Sequence, residues 1–268
     1  MNGLDINVIR DFYNTTPAIW DPNDRWHQWS YKEINKYLAS HTFSLQDYIL
    51  NAGSGGNSYG IKNNMVHLDI AEEKLRGIQN AVVASVEDMP FPASMFDGII
   101  CVGSVINYCD ASATISEFSR VLKPKGRLIL EFENSAGYEY KGTSTYEKAA
   151  DIVTVQFQGQ DHKQWLYSLS YIKSLLSTYS FSIRHIFPFH IFSSLALHLS
   201  RNETRSAKYA RYDMIARKLP FIAEHANNYI LTCQKLEFAS SNIKRCTCSK
   251  DGHNAIPINI TCCSHGYR

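Results

Sequence analysis

A glycine-rich turn and the carboxylate that follows it are the part of this chain best suited to bind a ligand. The turn spans residues 53–56, and the carboxylate is Asp69, which closes the strand-like run 65–69. Glycines permit positive φ angles and let a ligand approach the backbone. A carboxylate at the tip of the next strand can accept hydrogen bonds from both hydroxyls of a ribose. This spacing predicts a nucleoside-bearing ligand.

Three further segments accompany the turn, and their order is more specific than any one of them. They are residues 84–92, which contain a Pro-Phe-Pro motif, the apolar run 96–105, and residues 120–132, which contain a Lys-Pro-Lys-Gly motif. The glycine turn alone would equally fit a plain tight turn. In this combination, residues 45–135 resemble the class I S-adenosylmethionine-dependent methyltransferases, and particularly the branch that includes the quinone-biosynthesis methyltransferases.

The resemblance implies S-adenosylmethionine as cofactor and S-adenosylhomocysteine as product. The backbone of the glycine turn would meet the methionine end of the cofactor, Asp69 its ribose and residues 85–87 its adenine. The expected cofactor-binding residues are Tyr13, Asn51, Gly53, Ser54, Gly55, Asp69, Ile70, Ser85, Val86, Glu87, Gly103 and Ser104.

Three positions depart from the residue types usual in the resembled family. Asn51 stands where an acid usually helps to hold the amino group, Ser85 where Asp is frequent, and Asn57 where a third glycine is common. An amide or hydroxyl can still accept a hydrogen bond, but without the strength that a charge adds. These departures leave open a non-catalytic nucleotide-binding module of the same fold.

Methyl transfer requires few catalytic groups, because the sulfonium of S-adenosylmethionine is already an activated methyl donor. An oxygen acceptor generally needs a base to remove its proton, whereas a neutral amine can attack without one. Candidates for a base or orienting group are Tyr108, Glu133, His162 and His190. His162 is the first choice since histidine titrates near neutral pH, and Tyr108 is the second. The alternative for His162 is an ordinary surface-loop histidine.

The expected fold class is α/β: a Rossmann-like, doubly wound, seven-stranded sheet, mostly parallel with an antiparallel C-terminal strand pair, plus an N-terminal helical cap. Strand-like runs alternate with helical stretches from residue 45, which indicates a parallel sheet. Strands are predicted at 46–51, 65–69, 81–84, 97–102 and 127–133, with a helix over 111–122. The resemblance assigns 181–187 and 229–234 to the antiparallel pair. The stretch 56–65 is short for a crossover helix and predicts a single helical turn.

Three regions are expected along the chain. Residues 1–44 form an aromatic-rich helical cap, residues 45–236 the cofactor-binding domain with a helical insertion at about 190–225, and residues 237–268 a cysteine-containing tail. In the resembled families the cap covers the cofactor and shapes the acceptor pocket, although its aromatics would equally serve to pack helices onto the sheet. The basic residues of the insertion fit a solvated face or an anionic partner. The tail lacks the C-x-x-C spacing of zinc sites, so no metal is expected.

Composition bounds the remaining possibilities. A chain of 268 residues with 44% hydrophobic content can bury a full core, and a net charge of +2 gives no argument for a nucleic-acid partner. No apolar run approaches the ~20 residues of a membrane span, and no leader pattern opens the chain, so a cytoplasmic monomer or homodimer is expected.

A small, partly aromatic metabolite is the expected acceptor. The alternatives are a protein or RNA acceptor, the non-catalytic module and an NAD-dependent dehydrogenase.

Overall fold

Nine strands form within residues 4–157 and 159–237, the residues that the computed structural model describes. They are β1 (Ile49–Ala52), β2 (Met65–Asp69), β3 (Ala81–Val83), β4 (Phe96–Cys101), β5 (Leu122–Glu133), β6 (Ala150–Phe157), β7 (Gln160–Tyr167), β8 (Phe181–Phe189) and β9 (Asn228–Lys235). Seven of them make one sheet in the order β3-β2-β1-β4-β5-β9-β8. Strands β1 to β5 pair in parallel, and β9 runs antiparallel between β5 and β8. The predicted fold class is therefore confirmed.

Helices cover the sheet and occupy the cap and the insertion. They are α1 (Ile6–Thr15), α2 (Arg25–Ser40), α3 (Glu72–Leu75), α4 (Ala111–Val121), α5 (Leu169–Thr178), α6 (Phe192–Ser200), α7 (Glu203–Ser206), α8 (Asp213–Ala216) and α9 (Pro220–Ala223). No helix among the described residues is long and apolar enough to cross a membrane.

The start and the buried face of α4 follow directly from its local sequence. The Asp110 side chain accepts a hydrogen bond from the Ala113 amide at 2.9 Å and caps the first turn. Ile115, Phe118 and Val121 form the fully buried inner stripe. The helix ends at Val121, one residue before the predicted end, and the Lys-Pro-Lys-Gly motif lies in β5, which begins directly at Leu122. The predicted strand 127–133 was thus too short, because residues 123–125 are partly or fully exposed and lack apolar alternation.

Two local predictions were wrong. Residues 56–64 form successive turns with no helix, so the predicted single-turn helix does not occur. The second correction concerns His162: the alternative of a surface-loop histidine does not hold, because His162 pairs with Val155 inside the β6–β7 hairpin. A separate two-stranded sheet results, and it lies outside the seven-stranded sheet.

Helix α2 packs the cap onto one face of the sheet. Its buried residues Ile34, Tyr37 and Leu38 join a core cluster with Ile49 of β1 and Ile100 of β4. Strand β1 is buried along its whole length, as expected of a strand covered on both faces. The cysteine pattern of the tail lies in residues 238–268, outside the described residues.

The two central strands β1 and β4 mark the point where the chain changes direction across the sheet. From β1 the chain runs outward to β2 and β3, and then returns to the other side of β1 at β4. Ligands of open α/β sheets bind at the carboxyl ends of the strands at this switch point. The loops after β1, β2 and β4 are therefore where a site is expected.

Candidate functional site

A cavity of about 610 Å³ opens at the switch point, beneath the N-terminal helical region. It is lined by the glycine turn after β1, the end of β2, residues 84–87 and the end of β4. Ten of the twelve predicted cofactor-binding residues line it: Tyr13, Gly53, Ser54, Gly55, Asp69, Ile70, Ser85, Val86, Glu87 and Gly103. Its volume lies within the ~300–1,000 Å³ typical of ligand pockets.

The turn after β1 requires glycine for two reasons. Gly53 has a φ of +70° and Gly55 a φ of +51°, both in the left-handed region. A Cβ atom at Gly53 would lie 2.4 Å from both γ-methyls of Val105, and one at Gly55 would lie 2.4 Å from Cδ1 of Ile19. The turn therefore combines an unusual backbone conformation with close packing.

Asp69 is anchored against this turn. Its Oδ2 atom accepts a hydrogen bond from the Gly55 amide at 2.8 Å, and its Oδ1 atom accepts one from the Ala71 amide at 2.9 Å. Burial raises the pKa of Asp69, although these two hydrogen bonds oppose the shift. The carboxylate thus lies at the cavity wall in a fixed orientation, with acceptor capacity for ligand hydroxyls.

Two predicted cofactor residues lie elsewhere. Asn51 does not line the cavity: it is 1% exposed, and its Nδ2 atom donates to the Asn57 carbonyl at 2.7 Å. The Asn51 amide thus stabilises the loop after β1 by a hydrogen bond to its backbone and does not face the cavity. Ser104 lines an adjoining smaller cavity.

The smaller cavity has a volume of about 80 Å³ and shares Tyr13, Ile19, Trp20, Gly103 and Tyr108 with the larger one. The rest of its wall comes from α2, the ends of β4 and β5, the β6–β7 hairpin and the start of β9. These residues are Trp26, His27, Ser30, Ile34, Ser104, Glu131, Glu133, Phe157, Gln164, Asn227 and Asn228. We call this space the inner cavity.

Two carboxylates from β5 lie in the wall of the inner cavity. Glu131 is 1% exposed and accepts hydrogen bonds from the Ser104 amide at 2.5 Å and from Asn228 Nδ2 at 2.8 Å. Burial raises the pKa of Glu131 to about 7, and the nearby charge of Glu133 adds to this effect. Glu133 accepts from Gln164 Nε2 at 2.7 Å and from the Tyr140 hydroxyl. Sequence reasoning had considered Glu133 and overlooked Glu131.

The two predicted catalytic residues contact each other. The Tyr108 hydroxyl lies 2.7 Å from His162 Nε2, and the His162 ring stacks on Phe12 at 5.0 Å between centroids. Tyr108 lines both cavities. His162 lines neither of them and contacts the Tyr108 hydroxyl from outside the cavity walls. Burial lowers the pKa of His162 and raises that of Tyr108. His162 can therefore act on a ligand only through Tyr108.

His190, the other histidine considered as a base, is a hydrogen-bonded residue of the core. It is fully buried between the hydroxyls of Ser30 at 2.9 Å and Ser193 at 2.8 Å, and it stacks on Trp26 at 4.0 Å. Burial lowers the pKa of His190 to about 3, so the ring stays neutral at physiological pH.

A histidine that sequence reasoning missed does line the inner cavity. His27 Nδ1 lies 2.6 Å from Asp24 Oδ2, and Asp24 Oδ1 accepts from the Trp26 and His27 amides at 3.0 Å. Burial lowers the pKa of His27, but the hydrogen bond and charge of Asp24 outweigh it and the net shift is upward. The signal in the sequence was an aspartate three residues before a histidine, which also fits an ordinary helix start.

Comparison with known proteins agrees with this geometry. Residues 44–130 match the family model described as a methyltransferase domain. Over 71 residues the chain is 44% identical to the ubiquinone/menaquinone biosynthesis C-methyltransferase UbiE of Shewanella piezotolerans, an alignment that covers 24% of this chain and 28% of that protein. The chain thus spans less than a third of that relative's length.

Solved structures match over most of the described chain. The 1,6-didemethyltoxoflavin-N1-methyltransferase of Burkholderia thailandensis, solved with S-adenosylhomocysteine, aligns with a TM-score of 0.51 and 14% identity over 86% of this chain and 88% of its own. The geranyl diphosphate C-methyltransferase of Streptomyces coelicolor aligns with a TM-score of 0.54 and 11% identity over 86% of this chain and 97% of its own. At such identities the likeness concerns the fold.

Proposed function

We propose that this chain is a class I S-adenosylmethionine-dependent methyltransferase, and that it transfers a methyl group from S-adenosylmethionine to a small, partly aromatic metabolite. The observation that carries this proposal is the glycine turn with Asp69 held against it, at the mouth of a cavity of about 610 Å³.

The residues present fit S-adenosylmethionine. Gly53 and Gly55 line the cavity with left-handed φ angles, which brings backbone groups of the turn within reach of a polar ligand. Asp69 offers acceptors for ribose hydroxyls, and Ile70 and Val86 supply apolar wall for a purine ring. When bound, the cofactor supplies a methyl group already activated by a sulfonium.

The chain's own contribution is to position an acceptor and exclude water. The inner cavity adjoins the larger one through Tyr13, Trp20 and Tyr108, so an acceptor there would lie beside the cofactor pocket. Its aromatic walls suit an apolar or aromatic acceptor. The Tyr108 hydroxyl, which is hydrogen-bonded to His162, can orient the acceptor or hold a proton where the two cavities meet.

The named relatives support a small-molecule acceptor. One is a C-methyltransferase of quinone biosynthesis, and two of the structural neighbours act on a toxoflavin precursor and on geranyl diphosphate. The inner cavity also limits the reacting end of the acceptor to a few atoms, since a water molecule alone takes about 30 Å³ of liquid volume.

Two measurements test the proposal. Thermal melting is recorded with S-adenosylmethionine, S-adenosylhomocysteine and NAD in parallel; a ligand at about 100 times its Kd adds roughly 2.7 kcal/mol. Stabilisation by the two sulfur nucleosides and not by NAD is expected. Transfer of labelled methyl groups is then assayed on small-molecule, protein and RNA fractions. Labelling of protein or RNA alone would contradict the small-molecule acceptor.

A further inference from the structure

The inner cavity concentrates acidic side chains, and burial raises the pKa of Glu131 among them to about 7. Glu131 and Glu133 both lie in its wall, and none of the ion pairs within residues 4–157 and 159–237 includes either one. Each of them instead accepts hydrogen bonds from neutral groups. Buried carboxylates are costly unless a positive charge accompanies them. The cavity therefore favours a ligand that brings positive charge.

Aromatic rings surround the same space. Tyr13, Trp20, Trp26 and Phe157 all contribute to its wall. Aromatic faces attract an ammonium group through their quadrupole, and most strongly where water is excluded. Two carboxylates and a set of aromatic rings are complementary to an alkylammonium group of a few heavy atoms, which also matches the volume of about 80 Å³.

A third observation points to a way of removing a proton. Because a carboxylate only accepts hydrogen bonds, the 2.6 Å contact with Asp24 places the proton of the neutral His27 ring on Nδ1, and in that form the lone pair is on Nε2. The His27 ring lines the inner cavity and packs on Phe157 at 4.8 Å between centroids. Asp24 cannot move away easily, since it also caps α2 through two backbone amides.

We propose, building on the methyltransferase function above, that the acceptor is a small amine which enters the inner cavity as an ammonium ion, and that His27, positioned by Asp24, removes its proton. The negative wall binds the ammonium form, and the base converts it to the nucleophile.

The step balances in atoms and charge. His27 Nε2 takes one proton from R–NH3+, which leaves R–NH2. The nitrogen lone pair forms a bond to the methyl carbon while the S–CH3 bond breaks, and its electron pair returns to sulfur. The products are R–NH2–CH3+ and neutral S-adenosylhomocysteine, and His27 passes its proton to solvent.

The same wall disfavours an oxygen nucleophile. Loss of a proton from a phenol creates negative charge next to Glu131 and Glu133, and within the described wall of the inner cavity the imidazolium that His27 becomes is the sole cation that offsets it. An amine that loses its proton changes from positive to neutral instead. Electrostatics therefore separate the two acceptor classes.

The test compares matched acceptors. Methylation from labelled S-adenosylmethionine is measured with several primary and secondary arylalkylamines, 2-phenylethylamine among them, and with phenols of similar shape such as 4-ethylphenol. Amines should react at least about tenfold faster. If S-adenosylmethionine binds but phenols react as fast, or no amine reacts, the amine inference is wrong while cofactor binding stands. If the cofactor does not bind, the proposed function itself fails.

Variants test the base. With the best amine at pH 7, His27→Gln should lower kcat by about 100-fold, the lower range for loss of a general base. Asp24→Asn, which can still cap α2, should lower it by about tenfold. The control His41→Gln lies at the other end of α2, lines neither cavity and should leave the rate unchanged.

The pH profile separates proton removal from packing. The deficit of His27→Gln should shrink as pH rises toward the amine's own pKa, because solvent then supplies the neutral nucleophile. A deficit that is equal at all pH values, or a melting temperature lowered along with the rate, would assign His27 a packing role and overturn the proposal.

A divalent cation is the rival occupant. Ligand atoms of Asp24, His27 and Glu203 lie within 4.8 Å of one another. Full activity in EDTA and in Glu203→Gln supports the base. Loss of activity in EDTA that Mg²⁺ or Zn²⁺ restores would assign these three residues to a metal and overturn it.

Discussion

The larger cavity, which is the proposed cofactor pocket, and the inner cavity are neighbours whose walls are formed in different ways. The larger pocket takes most of its wall from residues 53–105, where each functional residue follows its strand directly. The wall of the inner cavity combines residues from α2, β5, the β6–β7 hairpin and the start of β9, and the most distant of these lie about 200 positions apart in the chain. Local turn chemistry shapes the first, and long-range packing shapes the second.

The largest expected effect tests the local half of this comparison. Gly53→Ala should destabilise the fold by about 3 kcal/mol, through a left-handed φ and a Cβ placed 2.4 Å from the Val105 methyls. Gly60→Ala is the matched control: its φ is +71°, but no atom lies within 4 Å of the added Cβ. It should cost only about 1 kcal/mol. Urea unfolding measures both, and equal losses would refute the packing argument.

The second effect tests the buried charge of the inner cavity. The pKa of Glu131 is about 7 in the fold, above the ordinary glutamate value of about 4.5, so the fold favours the protonated form. Its contribution to the free energy of unfolding should fall as pH rises from about 4.5 to about 7, by something on the order of 3 kcal/mol. Glu131→Gln should remove this slope.

Unfolding free energies of wild type and Glu131→Gln, measured from pH 3 to pH 8, isolate the Glu131 contribution as their difference. Glu117 provides a control of opposite sign, because its hydrogen bond to Arg120 lowers its pKa. The stability that Glu117 contributes is present above the ordinary glutamate pKa and is lost as pH falls through its lowered value. A pH-independent difference for Glu131 would mean that its carboxyl is not held protonated by burial.

The smallest expected effect concerns a single hydrogen bond in the cofactor pocket. Ser85 lines this pocket where the resembled family often has Asp. Ser85→Asp should tighten S-adenosylmethionine binding by about fivefold, because a charged acceptor strengthens a hydrogen bond to the adenine amine. Ser174→Asp, on the exposed side of α5, adds the same charge far away and should change nothing. Weaker binding in Ser85→Asp would mean that Ser85 does not face the adenine amine.

What the sequence could predict follows the same division. The location of the turn at 53–56, of Asp69 and of residues 85–87 at one cavity was predictable because short-range spacing fixes them relative to their strands. Asn51 was placed correctly on β1, but the direction of its amide depends on the conformation of the loop that follows. The pairing of Tyr108 with His162 and the place of Glu131 beside Asn228 depend on contacts between distant segments. Contacts between such distant segments cannot be predicted from the spacing of residues along the chain.

The most direct test of the central claim is a calorimetric titration of S-adenosylmethionine into wild type and Asp69→Ala. We expect wild type to bind one equivalent, and Asp69→Ala to keep its melting temperature within a few degrees while binding about 100-fold more weakly, as loss of charge-assisted hydrogen bonds implies. Equal affinity in the two proteins, or no binding by wild type, would contradict the account.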